Sequence, residues 1–185
     1  MKLCLILALV MVAAMAVLSG GDSTGAASVS SARTLKAGRK AMATLDSKSG
    51  STLTGKATFD EKSGGVLVTI EVSGAKPGMH GVHLHETGDC SAPDAKSAGG
   101  HFNPDSSTHG APNVDPHHAG DFGNISVGAD GKGKLKLMVK GLTVAPGPHS
   151  VVGRAVVVHA DVDDLKSQPA GNSGARFACG VVTAM

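Results

Sequence analysis

Histidine is spread very unevenly along this chain of 185 residues: all nine fall between His80 and His159. His83 and His85 stand two apart in an alternating stretch, so on a β-strand both imidazoles project from one face. The following segment adds His101, His109, His118 and Asp121, and a later strand-like stretch ends in His159. These residues are metal ligands by type. A tetrahedral zinc takes four ligands, and an imidazole-rich copper site commonly takes four as well. Seven such residues exceed the needs of one ion and fall one short of two separate ions, so a two-metal site requires a shared ligand. A histidine fills that role when both ring nitrogens are deprotonated, which two flanking dications make favourable.

The elements that must carry these residues read as short strands. Met42–Leu45 and Leu53–Phe59 alternate loosely. Gly65–Val72 alternates strongly, with Val66, Val68, Ile70 and Val72 on one face and Leu67, Thr69 and Glu71 on the other. Val82–His85, Asn124–Val127, Lys132–Val139, Arg154–His159 and Gly180–Thr183 complete a set of about eight, and no stretch has a helical period. Gly is 26 of 185 residues, about twice the usual ~7%, while Phe numbers four and Trp and Tyr are absent. That composition suits many turns between short strands, and hence an antiparallel sandwich or small barrel. Two segments, Glu86–Phe122 and Ala160–Cys179, are long loops of the kind that usually carry function.

The formal net charge of +2 leaves no footprint for nucleic acid, and no basic run or aromatic stacking platform is present. Charged residues make up 17%, which is not the composition of a disordered chain. Met1-Lys2, the apolar run Leu3–Leu18 and the small polar residues after it have the layout of a secretory signal. The run is shorter than the ~20 residues that span a bilayer, so no stable membrane insertion is expected once the signal is cleaved. Residues 1–27 are read as the signal, with Ser19, Ala26 and Ala27 as alternative cleavage points. Residues 28–40 are read as a flexible leader and 41–185 as one domain. Cleavage removes Cys4 and leaves Cys90 and Cys179, whose default state outside the cytoplasm, in the periplasm or beyond it, is a disulfide.

Taken together, the motifs resemble those of the copper/zinc superoxide dismutases. They are Gly81-Val82-His83-Leu84-His85-Glu86, His101-Phe102-Asn103-Pro104, His109-Gly110, His118-Ala119-Gly120-Asp121, Gly153-Arg154 through Val158-His159, and Gly171-Asn172-Ser173-Gly174-Ala175-Arg176-Phe177-Ala178-Cys179-Gly180. They run in family order from about residue 42 to the end. The resemblance implies an eight-stranded antiparallel Greek-key barrel with two long functional loops, one copper and one zinc per chain, and superoxide as substrate. It assigns His83, His85, His101 and His159 to copper, and His101, His109, His118 and Asp121 to zinc, with His101 as the bridge. It also implies a Cys90–Cys179 disulfide and an anion-holding arginine at Arg176. Asp163 would be the carboxylate that joins a copper histidine to a zinc histidine, and Arg154 would be structural. His80, His117 and His149 match no ligand and are read as ordinary surface residues. The disulfide subloop is closer to bacterial members, whereas the zinc-ligand spacing is eukaryote-like. Lys166 is the only lysine in the last loop, and a homodimer is compatible with the family.

Two other classes fit parts of the pattern. An exported copper/zinc storage or delivery module would need the ligands but neither Arg176 nor the bridge. A zinc hydrolase would use His83 and His85 as ligands and Glu86 as a base.

Overall fold

The computed structural model describes residues 38–185; the signal and most of the leader lie outside the described residues. Among the described residues nine strands occur in chain order: β1 Lys40–Ser47, β2 Thr54–Lys62, β3 Gly65–Ser73, β4 Gly78–His85, β5 Asp121–Val127, β6 Gly133–Val139, β7 Ala155–His159, β8 Arg176–Val181 and β9 Thr183–Ala184. The sheet order is β2-β3-β6-β5-β4-β7-β8-β1-β9, and an additional β1–β2 pairing closes the first eight strands into a barrel. Every strand pairing is antiparallel, and the connections β3 to β4 and β6 to β7 each pass over two strands, which is Greek-key topology. Closure leaves no open edge on the main barrel.

Alternation is visible in the burial. Val66, Val68, Ile70 and Val72 of β3 lie inside with Phe59, Leu45 and Ile125, while Lys134 and Lys136 of β6 point to solvent. The last expected strand, Gly180–Thr183, divides: β8 begins earlier, at Arg176, and β9 is a two-residue addition that pairs with β1. Arg-Phe-Ala-Cys-Gly-Val lacks β-branched alternation, so its strand character comes from pairing with β7 and β1. Among the described residues the single helical element is the 3₁₀ turn Lys96–Ala98.

The site depends on β4 and β7, which pair side by side from Val82↔Val158 to His85↔Ala155. Val82, Leu84, Val156 and Val158 join the barrel core. The alternate residues therefore project outward, where the two long loops cover them. Ala155 and Val157 pack with Cys179, Ala95 and Ala98 in a second apolar cluster under the first loop. That loop returns past the end of β4 through Phe102 N–H to Leu84 O, Leu84 N–H to Gly120 O and Gly120 N–H to Phe102 O. A bridge pairs His85 with His101. The second loop is tied to β4 by Gly81 N–H to Asp161 O.

Candidate metal centre

Seven side chains converge where the loops cross the outer face of β4 and β7. His83, His85, His101 and His159 each offer a ring nitrogen within 4.8 Å of the others, and all four residues are buried. His83, His101, His109 and Asp121 satisfy the same distance, and His118 Nδ1 stands 3.4 Å from both His101 Nδ1 and Asp121 Oδ1.

Hydrogen bonds at the far side of His85, His83 and His109 settle which nitrogen of each ring is free. His85 Nδ1–H donates to Gly99 O at 3.0 Å, leaving Nε2, which lies 3.4 Å from His159 Nε2. His83 Nε2–H donates to Asp163 Oδ2 at 2.8 Å, and its Nδ1 is buried without a partner. His109 Nε2–H donates to Asp163 Oδ1 at 2.9 Å, so its Nδ1 faces Asp121 Oδ1 at 3.0 Å. His101 turns Nδ1 to Asp121 Oδ1 at 3.0 Å, while its Nε2 is buried and unpartnered. His101 therefore has one nitrogen for each cluster, whereas the second nitrogen of His83 is occupied by Asp163.

Buried polar atoms normally have partners. Here two ring nitrogens have none, and pairs of lone-pair atoms face each other at 3.4 Å. A cation with ligand bonds of ~2.0–2.1 Å in a tetrahedron sets its ligand atoms about 3.3–3.4 Å apart. The nitrogen-rich set of four suits copper, and the three-imidazole, one-carboxylate set suits zinc. The residues present fit both ions.

Protonation states agree with ligation. Burial first, then the neighbouring imidazoles, hold His83 and His85 well below 6.5. Burial takes His159 down to about 3 and also lowers His118. For Asp121 burial alone would raise the carboxyl. Hydrogen bonds from His101 and from the amides of Gly110 and His118 outweigh it, and the carboxyl falls well below the usual range. Neutral imidazoles beside an ionised carboxylate are what a dication requires.

Asp163 and its surroundings orient two rings at once. Its side chain is fully buried, and its backbone pairs reciprocally with the Asn124 amide, at 2.8 and 2.9 Å. Gly171 backs onto it with φ +62°; a Cβ there would overlap Asp163 Oδ1 and come within 2.7 Å of His109 Nε2. Gln168 fixes His109 by accepting from its N–H at 2.8 Å and donating to its carbonyl at 2.9 Å. Asn124, Gln168 and Gly99 were not legible as site residues, because their partners lie far away in sequence and no ligand chemistry marks them.

Arg176 is half-buried and donates from Nη1 to Ala95 O and from Nη2 to Gly99 O, both at 2.8 Å. The Cys90–Cys179 disulfide forms, with Cα atoms 5.7 Å apart, and fastens that loop to β8. Arg154 lies over the Phe102 ring at 4.3 Å and donates to Glu86 O.

His80 is not a surface residue: it is 3% exposed, with Nδ1 2.9 Å from His159 O and Nε2 2.8 Å from Lys76 O. It stands near the start of β4 against Lys76 and the end of β7, partners that a motif match does not show. His117 and His149 are half-buried rather than free on the surface. Glu86 is exposed and accepts from Gly100 N–H at 3.0 Å, outside both ligand groups, so the hydrolase arrangement has no base at the metals.

A Greek-key barrel whose outer face holds two ligand clusters joined by one imidazole defines a dinuclear metalloprotein. The model of the copper/zinc superoxide dismutase family matches residues 53–182. The superoxide dismutase [Cu-Zn] of Deinococcus radiodurans is 46% identical over 144 residues, covering 72% of this chain and 79% of its own. The crystal structure of the clock protein EA4 superposes with a TM-score of 0.73 at 36% identity, covering 80% of this chain and 96% of its own. This chain belongs to the copper/zinc superoxide dismutase family.

Proposed function

We propose that this protein converts two superoxide anions and two protons into dioxygen and hydrogen peroxide. The observation that carries the reading is His101, with Nδ1 in the Asp121 cluster and Nε2 unpartnered among His83, His85 and His159. A store or carrier of metal has no use for a ring shared between two clusters, nor for Arg176 beside them.

His83, His85, His101 and His159 would hold copper, and His101, His109, His118 and Asp121 would hold zinc. Copper when bound supplies the one-electron redox change, and zinc, which has no redox chemistry, supplies charge and orientation. The chain's own residues do the rest. Arg176, fixed by two carbonyls, keeps its remaining N–H groups and its charge for a small anion. His101 Nε2 is the atom at which a proton is held and passed to the reduced substrate. Asp163 holds His83 and His109 in place so that His101 moves a proton between fixed neighbours. Burial of the four imidazoles keeps water from competing at the lone pairs.

The disulfide agrees with an oxidising compartment, and we infer export through the N-terminal signal, to the periplasm or outside the cell. Among the described residues no helix is long and apolar enough to cross a membrane. The deciding experiment is superoxide consumption by the mature chain carrying one copper and one zinc. Fast turnover supports the reading; full metal occupancy without turnover returns the protein to the carrier class.

A further inference from the structure

The second loop grips His109 twice. Asp163 accepts from the His109 ring, and five residues further on Gln168 pairs with the His109 main chain. Gln168 Oε1 accepts from His109 N–H at 2.8 Å, and its Nε2 donates to His109 O at 2.9 Å and to Lys166 O at 3.0 Å. The amide oxygen and both amide hydrogens are thus used, and only one orientation of the side chain satisfies all three partners. A carboxylate in its place would set an oxygen against two carbonyls.

A turn closed on itself presents this side chain. Asp164 N–H donates to Gly171 O at 2.9 Å and Gly171 N–H to Ser167 O at 2.7 Å. The Asp164 carboxylate accepts from the N–H groups of Lys166 and Ser167 and from Asn172 Nδ2, at 2.8–3.0 Å. Among the described residues, the hydrogen bonds from residues 164–172 to the first loop are those of Gln168. The two grips also differ in burial. Asp163 is buried, whereas Gln168 is exposed, so water competes for its bonds and they are the ones that open first.

What Gln168 holds bears on two ligands together. His109 Nδ1 faces Asp121 Oδ1 at 3.0 Å, and the next residue, Gly110, donates its N–H to Asp121 Oδ2 at 3.0 Å. A shift of the 109–110 main chain therefore moves one ligand and loosens another. We propose that Gln168 is a positioning residue of the zinc cluster: it keeps His109 and Asp121 in register, and its bonds must break before the cluster opens and zinc leaves. The proposal rests on zinc being held by His101, His109, His118 and Asp121, as in the reading above, and not on turnover.

The test uses the chain loaded with copper and zinc and follows the passage of zinc to an excess of chelator. Gln168→Leu removes the amide, and Gln168→Glu keeps an acceptor but loses both donors. Each should release zinc about tenfold faster or more, with Gln168→Glu at least as fast as Gln168→Leu. A second measurement separates positioning from general loosening of the fold. With Co²⁺ in place of zinc, the visible absorption of the tetrahedral site should change in position or intensity in both variants, which a loss of stability alone would not cause. Release at the wild-type rate, or an unchanged cobalt spectrum in both variants, overturns the proposal. A wild-type chain that takes up no zinc overturns it together with the ligand assignment. Release is read without superoxide, so a failure of turnover is a separate result.

Discussion

His85 and Arg176 are held by one oxygen. The carbonyl of Gly99 accepts from His85 Nδ1 at 3.0 Å and from Arg176 Nη2 at 2.8 Å. A ring of the four-imidazole cluster and the guanidinium beside it are thus positioned by one peptide of the first loop. That loop is tied to β8 by Cys90–Cys179, three residues beyond Arg176. Geometry at the reacting centre and anchoring of the loop are one structural problem here.

The arginine is therefore expected to matter for rate more than for stability. Arg176→Ala should lower the second-order rate constant for superoxide by about tenfold or more and flatten its dependence on ionic strength. The measurement is superoxide decay after pulse radiolysis at several salt concentrations. Metal content should stay the same; a variant that keeps the wild-type rate would remove Arg176 from the mechanism.

Removing the disulfide should act on both stability and site. The bridge closes a separation of 89 residues, worth up to ~4.5 kcal/mol on the chain-entropy model. Cys90→Ser/Cys179→Ser should lower the unfolding midpoint and, by loosening Ala95–Gly99, reduce turnover at full metal loading. Denaturant unfolding and activity on the same metal-loaded sample check the two effects separately.

Asp163 supports one ring on each side of His101, so its loss should reach both ions. Asp163→Asn places an amide N–H₂ against one of the two ring N–H donors, and zinc affinity should fall by about 10–100-fold. Gly171→Ala should mimic it from behind, through overlap with Asp163 and strain at φ +62°. Competition with a chelator measures both variants. Wild-type zinc affinity in Gly171→Ala would show that the loop can move aside without consequence.

Acid should destabilise the metal-free protein over a defined window. His159 falls from 6.5 to about 3 on folding, and His83, His85 and His118 also fall. Below pH 6.5 the unfolded chain binds protons that the folded chain refuses, so stability is present above 6.5 and lost as pH drops toward 3. Asp121, whose carboxyl is also lowered, extends the loss below 3.8. Urea midpoints of the metal-free chain should decline steadily from pH 7 to pH 4. A flat profile would mean that these rings are not buried neutral.

The strands that alternate and the residues able to bind metal were legible in the chain before any fold was known. Val66, Val68, Ile70 and Val72 could only be one face of a strand, and seven ligand-type residues with a surplus over one ion implied sharing. Both follow from local rules: side-chain period in a strand, and the donor chemistry of imidazole and carboxylate. What local rules cannot supply is direction and distance. Which nitrogen of each ring is free depends on Gly99 O, Asp163 and Asp121, whose partners arrive from other loops. The burial of His80 comes with carbonyl partners from Lys76 and from His159 at the end of β7, which its own segment does not reveal. The strand at Arg176 exists because β7 and β1 pair with it. Only the closed barrel, by pressing two loops onto the outer face of β4 and β7, turns a list of ligands into two clusters with one histidine between them.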